Sequence, residues 1–116
     1  MTRPRTAPRS VHHPDLDAVA LRQVLEALAD PVRLALVSQL ARSEGHISCG
    51  GFDVPVAAST LTHHCNVLRE AGLIRQYYVG TVKRNALRAE EMEARFPGLL
   101  AALLAAATVE SPAVAA

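Results

Sequence analysis

Residues 59–88, STLTHHCNVLREAGLIRQYYVGTVKRNALR, pass from a helical pattern to a strand pattern at a single glycine. Within 59–71 the apolar residues recur at helical spacing, Ser59 is a residue type that caps helix starts, and Gly72 is one that ends helices. Beyond that glycine, β-branched and aromatic residues dominate around a central Gly-Thr pair, which favours strands. The pattern predicts a helix over 59–71 and a two-stranded hairpin over 73–88.

Two helices are expected upstream of this unit. The first is predicted to begin at Pro14 and to continue, with apolar residues at helical spacing, to Leu28. The second is predicted to begin at Asp30, which can cap it, with a proline at the first helical position and Gly45 as its end. Residues 46–58 contain two adjacent glycines and a proline, so we expect an irregular segment with one loose helical turn.

Downstream, the sequence predicts a short acidic helix over 90–95 and a last helix over 99–107 that is apolar almost all round. A helix without a polar face must be buried, and one small domain offers too little surface to bury it. We therefore expect this helix to pack against a second subunit. The remaining segments are expected to be a flexible basic arm, residues 1–13, and a disordered tail, residues 108–116, on either side of one domain, residues 14–107.

Length and composition limit the possible classes of protein. The chain has 116 residues, half of them hydrophobic, with no Trp and only two Phe and two Tyr. This length fits one domain, and a core of Ala, Leu and Val favours a mainly α-helical fold. Two cysteines cannot form a disulfide framework and are typical of reduced cytosolic thiols. The longest apolar run, residues 99–107, is far shorter than the roughly 20 residues of a membrane span. We expect no secretory signal and a cytoplasmic location.

The near-neutral total charge of +1 conceals a basic block. Residues 61–88 contain five basic residues and one acidic residue, whereas the segments 14–58 and 89–116 each carry a net charge of −3. A basic block between acidic flanks is typical of a local polyanion-binding face, although a solvated surface of mixed charge would give the same totals. A capped helix followed by a glycine and a basic hairpin indicates a winged helix-turn-helix, whose helix fits the major groove of DNA.

Two long motifs in this order resemble the ArsR/SmtB family of small dimeric bacterial repressors. These motifs are ALADPVRLALVSQL, residues 27–40, and STLTHHCNVLREAGLI, residues 59–74. The resemblance extends from Leu28 to Leu87, about half of the chain. It implies a homodimer whose first and last helices form the interface, a DNA-reading helix over 59–71 and a wing over 73–88.

The expected function is sequence-specific DNA binding by a transcriptional regulator, a homodimeric repressor that an effector releases or activates, on an imperfect palindrome. Base and phosphate contacts are expected from polar side chains of the helix and from basic side chains of the wing. The predicted DNA-binding residues are Ser59, Thr60, Thr62, His63, Asn66, Arg69, Lys83 and Arg84. His64 and Cys65, in the same helix, are interpreted as packing residues.

Metal sensing does not follow from the resemblance, because the Cys-x-Cys cluster and the paired ligands of the last helix in that family are absent here. An alternative is a Ni- or Zn-responsive sensor with its own ligands, since both metals accept imidazole and thiolate. The candidate ligands are His12, His13, His46 and Cys49. The competing interpretation is a packed free thiol and solvent-exposed histidines, in which case no cofactor is needed.

A third interpretation is a dimerisation or protein-interaction module that keeps the fold without reading DNA. Catalysis is not indicated, since the sequence shows no phosphate-binding Gly-rich loop and no supported Ser-His-Asp set. Ser59 is better explained as a helix cap than as a nucleophile. Steep salt dependence of DNA binding would separate a regulator from an interaction module.

Overall fold

A computed structural model describes residues 11–110 of the chain. Within this range the fold is mainly helical with a small antiparallel sheet, and it confirms the predicted winged helix-turn-helix architecture. The helices are α1 Leu21–Ala29, α2 Pro31–Arg42, α3 Ala58–Glu70, α4 Ala89–Arg95 and α5 Leu99–Glu110, and the strands are β1 His46–Ser48, β2 Ile74–Val79 and β3 Val82–Leu87.

The first helix is interrupted where a single helix was predicted. Residues Leu16–Ala18 form a 3-10 turn, and the chain is then extended through Val19 before α1 begins. The buried Val19 side chain enters the core from this extended backbone. The Arg95 guanidinium donates to the carbonyl oxygens of Leu16, at 3.0 Å, and Val19, at 3.1 Å. The Leu16 carbonyl also accepts from the amide of Val19 at 3.1 Å, so Arg95 adds a second bond to it as well as a bond to Val19.

The start of α2 is as predicted. The Asp30 carboxylate accepts hydrogen bonds from the amides of Val32, at 2.8 Å, and Arg33, at 3.1 Å, and Pro31 occupies the first helical position. These bonds satisfy two amides that have no partner within the helix. Desolvation raises the pKa of Asp30, but these two hydrogen bonds, together with the charges of His64 and Arg33, outweigh it and hold that pKa below its usual value.

The sheet contains one strand more than the predicted hairpin. Its order is β1-β3-β2, with β3 antiparallel to both neighbours, so β2 and β1 are the two edges. β1 lies in the segment that was expected to be irregular, and the predicted loose turn is present as a 3-10 turn at Cys49–Gly51. A strand of three residues is too short to show an alternating pattern of apolar and polar residues in the sequence. β1 forms because it pairs with β3, a strand almost 40 positions away in the chain.

α3 begins and ends one residue earlier than predicted. Ala57 stands at the N-cap without a side-chain hydrogen bond, so the prediction that Ser59 caps this helix was wrong. The predicted end is confirmed, because Gly72 has φ +78° and lets the amide of Leu73 donate to the carbonyl of Leu68 at 3.0 Å. This is the hydrogen bond of a Schellman motif, and it turns the chain directly from α3 into β2.

The last helix is longer than predicted. α5 extends to Glu110, so residues 108–110 belong to a helix and not to the predicted tail, whereas residues 111–116 lie outside the described part. Most of the predicted basic arm, residues 1–10, also lies outside it.

Within residues 11–110, no single helix is long and apolar enough to cross a membrane. Only α4 and α5 taken together have the length and composition of a membrane span, and they are bent by 114° relative to each other.

The core lies between α2, α3 and the base of the sheet. Its largest side chains with almost no exposed surface are Leu36 and Leu40 of α2, Leu68 of α3, and Leu73 with Ile74 at the start of β2. The recognition unit, defined here as α3 with the hairpin of β2 and β3, is therefore fixed to the helical body through its apolar faces. Its polar faces remain available for binding.

Candidate nucleic-acid interface

The outer face of α3 is a polar surface near the start of the helix. Ser59, Thr60, Thr62 and His63 are exposed, whereas His64, Cys65 and Leu68 on the other side are buried. The Thr62 hydroxyl donates to the carbonyl of Ala58 at 3.0 Å and keeps its acceptor lone pairs free. The four predicted contacts of the first turns therefore share one accessible surface. Hydroxyl and imidazole groups at such positions can bond base edges and phosphates.

Asn66 and Arg69, the two predicted contacts further along α3, are engaged within the protein. Arg69 Nη1 donates to Asn66 Oδ1 at 3.0 Å and to Gln76 Oε1 at 2.6 Å. Both α3 residues are only half-exposed. Arg69 thus joins the end of α3 to β2.

A buried polar network continues from this arginine, and sequence reasoning missed it. Gln76, 2% exposed, donates through Nε2 to Oδ1 of Asn85, 0% exposed, at 2.8 Å. Asn85 Nδ2 in turn donates to the carbonyl of Ile47 at 3.0 Å and approaches Cys49 Sγ at 3.5 Å. The network joins α3 and all three strands, so it fixes the wing relative to the recognition helix.

The wing carries its basic residues on a twisted hairpin. Tyr77 pairs with Arg84 and Tyr78 with Lys83, so the two cations, adjacent on one strand, lie on opposite faces of the sheet. Both are half-exposed, and Lys83 Nζ lies 6.0 Å from the centre of the Tyr78 ring. Arg84 Nε is buried and has no hydrogen-bond partner among residues 11–110. Arg75, on β2, is exposed.

His64 and Cys65 are buried, as their interpretation as packing residues required. Arg33 Nη1 and His64 Nδ1 are 3.1 Å apart, and Arg33 Nε donates to the carbonyl of Ala27 at 2.7 Å. The first of these contacts links α2 to the buried side of the recognition helix. Burial raises the pKa of Cys65 to about 11, so its thiol stays protonated near neutral pH.

The four candidate metal ligands do not form one cluster. His13 Nε2 accepts from the amide of Gln76 at 2.9 Å, and His46 Nδ1 forms a hydrogen bond with the Tyr77 hydroxyl. Cys49 lies beside Asn85, and His12 is exposed. Between residues 11 and 110 no three His, Cys, Asp or Glu side chains converge well enough to hold a metal ion. A Ni or Zn site stays a prediction that would need further ligands.

Comparison with curated proteins gives one sequence relative. The chain is 34% identical over 83 residues to YceK, an uncharacterized HTH-type transcriptional regulator of Bacillus subtilis (strain 168). The match covers 70% of this chain and 83% of the relative. No family model matches the sequence.

Solved structures with this fold include two regulators. A crystal structure of an ArsR family transcriptional regulator superposes with a TM-score of 0.58 and 28% identity, over 76% of this chain and 91% of the other. An ArsR-like transcriptional regulator from Rhodococcus sp. RHA1 gives a TM-score of 0.55 over 78% and 92% of the two chains. At 24% identity, that second likeness shows the shared fold alone.

Proposed function

The chain belongs to the ArsR family of DNA-binding transcriptional regulators, and on that premise we propose that it acts as a homodimeric repressor. Its relatives are regulators and not enzymes. In this proposal the dimer binds an imperfect palindrome in the bacterial cytoplasm, and an effector releases it or activates it.

The accessible polar face at the start of α3 is the observation that carries the proposal. Ser59, Thr60, Thr62 and His63 project from the helix that the fold presents outward, and the buried network holds the basic wing beside it. A helix of this kind reads base edges in the major groove, while the wing cations bind phosphates. Phosphate contacts position the protein, and the α3 side chains select the sequence.

Apolar surface on the first and last helices supports the dimer. Leu21 and Leu25 of α1 are 47% and 41% exposed, and Val109 of α5 is 83% exposed. In addition, α5 presents exposed alanines that would let a second helix approach closely. An isologous contact through these helices would place two copies of α3 about 34 Å apart, one turn of DNA. An effector would act by changing the angle between the two recognition units.

The experiment is selection of DNA by the full-length protein from a random-sequence duplex pool, with a chelator present. We expect an enriched sequence with approximate two-fold symmetry. Fluorescence anisotropy should then show tighter binding to it than to a scrambled duplex, with an affinity that falls steeply as salt rises. Failure to enrich any sequence, together with shallow salt dependence, would overturn the proposal in favour of an interaction module.

Metal dependence can be decided with the same selected duplex. Adding Ni²⁺ or Zn²⁺ to the chelator-free protein should leave the anisotropy titration unchanged if no metal is sensed. A metal-dependent shift that Cys49→Ser abolishes would instead establish the alternative sensor.

A further inference from the structure

We propose that the outer face of the sheet carries a phosphate-binding site. Its residues come from all three strands and are Arg84, Ser48, Tyr77 and His46. The proposal goes beyond the proposed function, in which Arg84 binds DNA as a single cation of the wing. The ligand is a phosphate group, which either the DNA backbone or a small phosphorylated molecule can supply.

The outer face of the sheet is the one that points away from the buried Gln76–Asn85 pair. Arg84 precedes Asn85 on β3, so its side chain lies on the outer face. Arg84 pairs directly with Ser48 of β1 and with Tyr77 of β2. Side chains directly opposite each other in an antiparallel pair share a face, with Cβ atoms about 4.5–5.5 Å apart. One row across the sheet therefore contains a guanidinium between two side chains that carry hydroxyl groups.

His46 joins this row from the same face. It precedes Ser48 by two positions, and its ring meets the Tyr77 ring edge to face, with the centroids 5.6 Å apart. His46 Nδ1 and the Tyr77 hydroxyl are also hydrogen-bonded. That bond uses one hydrogen. In either tautomer of a neutral histidine, the pair therefore keeps one N–H or O–H group that can donate to a ligand.

The Arg84 side chain has a donor that the described part of the protein does not satisfy. Its Nε atom is buried and has no hydrogen-bond partner among residues 11–110, although the residue as a whole is half-exposed. A buried donor without a partner is unfavourable and indicates a ligand, an ion or a water molecule at that place. An oxyanion beside the guanidinium would satisfy this donor through a charge-assisted hydrogen bond.

The composition of the sheet favours an anion as the ligand. β1, β2 and β3 contain Arg75, Lys83 and Arg84 but no Asp or Glu, so no carboxylate of these strands competes for the guanidinium. Arginine binds phosphate and carboxylate through parallel hydrogen bonds. The hydroxyl and imidazole groups next to Arg84 add further donors, and a tetrahedral phosphate has more oxygens to accept them than a planar carboxylate has.

The test is a titration of the full-length protein with inorganic phosphate, without DNA and at constant ionic strength. Heteronuclear NMR spectra report binding through the backbone amides and the arginine Nε–H groups. We expect saturable shifts of the Arg84 Nε–H signal and of the Ser48 and Tyr77 amides. Shifts that grow linearly, without saturation, would overturn the proposal.

Three variants locate the site. Arg84→Gln should raise the Kd for phosphate at least about tenfold, because it removes the charged donor. Tyr77→Phe keeps the ring but removes the hydroxyl, so it should raise that Kd roughly threefold. Lys83→Gln is the matched control, since it removes the adjacent charge of β3 on the opposite face and should leave the Kd for phosphate unchanged. A Kd for Arg84→Gln equal to that of the parent, or to that of Lys83→Gln, would contradict the site.

The selected duplex then identifies the source of the phosphate. If the DNA backbone occupies the site, Arg84→Gln should lower the steepness of log K against log salt by about 0.9 per protomer. If the steepness stays at the value of the parent, the ligand is a small phosphorylated molecule. The phosphate titration contains no DNA, so its failure would overturn this proposal while the proposed function stands. Failure of the DNA selection would overturn the proposed function without affecting the phosphate result.

Discussion

Gly72 connects the recognition helix to the wing, and it is the glycine at which an added side chain has least room. Its φ is +78°, a conformation that costs about 1–2 kcal/mol for other residues. A Cβ there would lie 2.0 Å from Leu16 Cδ2, and such overpacking typically costs a further 1–3 kcal/mol or so. Gly72→Ala should therefore lower the free energy of unfolding in urea by about 2–5 kcal/mol.

Gly80, in the wing turn, provides the matched control for this substitution. It has φ +61°, but an added Cβ would meet no atom within 4 Å among the described residues. Gly80→Ala should cost only the backbone part, about 1–2 kcal/mol. Equal losses for the two variants would show that Leu16 does not pack under Gly72 as described.

His13 makes its hydrogen bond with the amide of Gln76 on β2 sensitive to pH. Burial, and after it the charge of Arg88, lowers the pKa of His13 below its ordinary value of 6.5. The neutral ring is also the form that can accept the Gln76 amide. The stability from this group is complete above pH 6.5 and declines as pH falls toward the lower pKa of the folded state.

His13→Gln should therefore reduce the loss of Tm between about pH 7.5 and about pH 5.5. The Gln carbonyl can accept the same amide hydrogen, but it does not titrate. Every other titratable group is the same in both proteins, so the difference between them reports His13. An identical fall of Tm in parent and variant would contradict the lowered pKa of His13.

At the scale of elements, α3 and the wing should contribute differently to DNA binding. Thr60→Ala with His63→Ala removes two exposed groups of α3, so it should reduce the discrimination between selected and scrambled duplexes. A good base contact is worth about 1–3 kcal/mol. Lys83→Ala should instead weaken binding to both duplexes equally and lower the salt slope by about one. Loss of discrimination from Lys83→Ala alone would contradict this division.

The elements also show which features could be predicted from the sequence. The sequence carries local signals for α2, α3 and the hairpin, and these predicted their bounds to within a few residues. The signals are the spacing of apolar residues, the helix start at Asp30-Pro31 and the helix end at Gly72. β1 was not predicted, because its three residues are ordered by pairing with β3. Pairing between distant segments gives so short a strand no recognisable pattern in its own sequence.

Two arginines of the recognition unit show the same limit for side chains. Arg69 and Arg75 look alike in the sequence, since each is a basic residue next to polar and apolar neighbours. In the fold, the Arg69 guanidinium turns inward and donates to Gln76, whereas Arg75 is exposed on β2. Only the packing of α3 against the sheet separates the structural cation from the accessible one.

Some residues of the candidate site could be predicted from the sequence and others could not. The exposed residues of the first turns of α3 could be predicted, because helical spacing alone separates them from the buried Cys65 and Leu68. The Gln76–Asn85 pair could not, since two amide residues on neighbouring strands look like solvent-exposed positions until the register places them opposite each other. Their burial is a property of the assembled sheet.

For the whole molecule, the proposed homodimer would cover exposed apolar side chains of α1 and α5. Leu21 and Leu25 are large apolar side chains on the exposed side of α1, outside the core of the single chain. Leu21→Glu with Leu25→Glu should therefore leave the monomer folded by circular dichroism. In the dimer it would bury a pair of charges from each protomer, and the dimer Kd measured by sedimentation should rise at least about tenfold.

DNA binding should weaken together with dimerisation, because two linked recognition units bind a palindrome far more tightly than one. Val82→Glu is the matched control, since Val82 is 50% exposed but lies on the wing, away from α1 and α5. It should leave the sedimentation coefficient unchanged. If the variant with Leu21→Glu and Leu25→Glu still sediments as a dimer, the interface lies elsewhere. If the parent protein stays monomeric when it binds DNA, the homodimer is excluded.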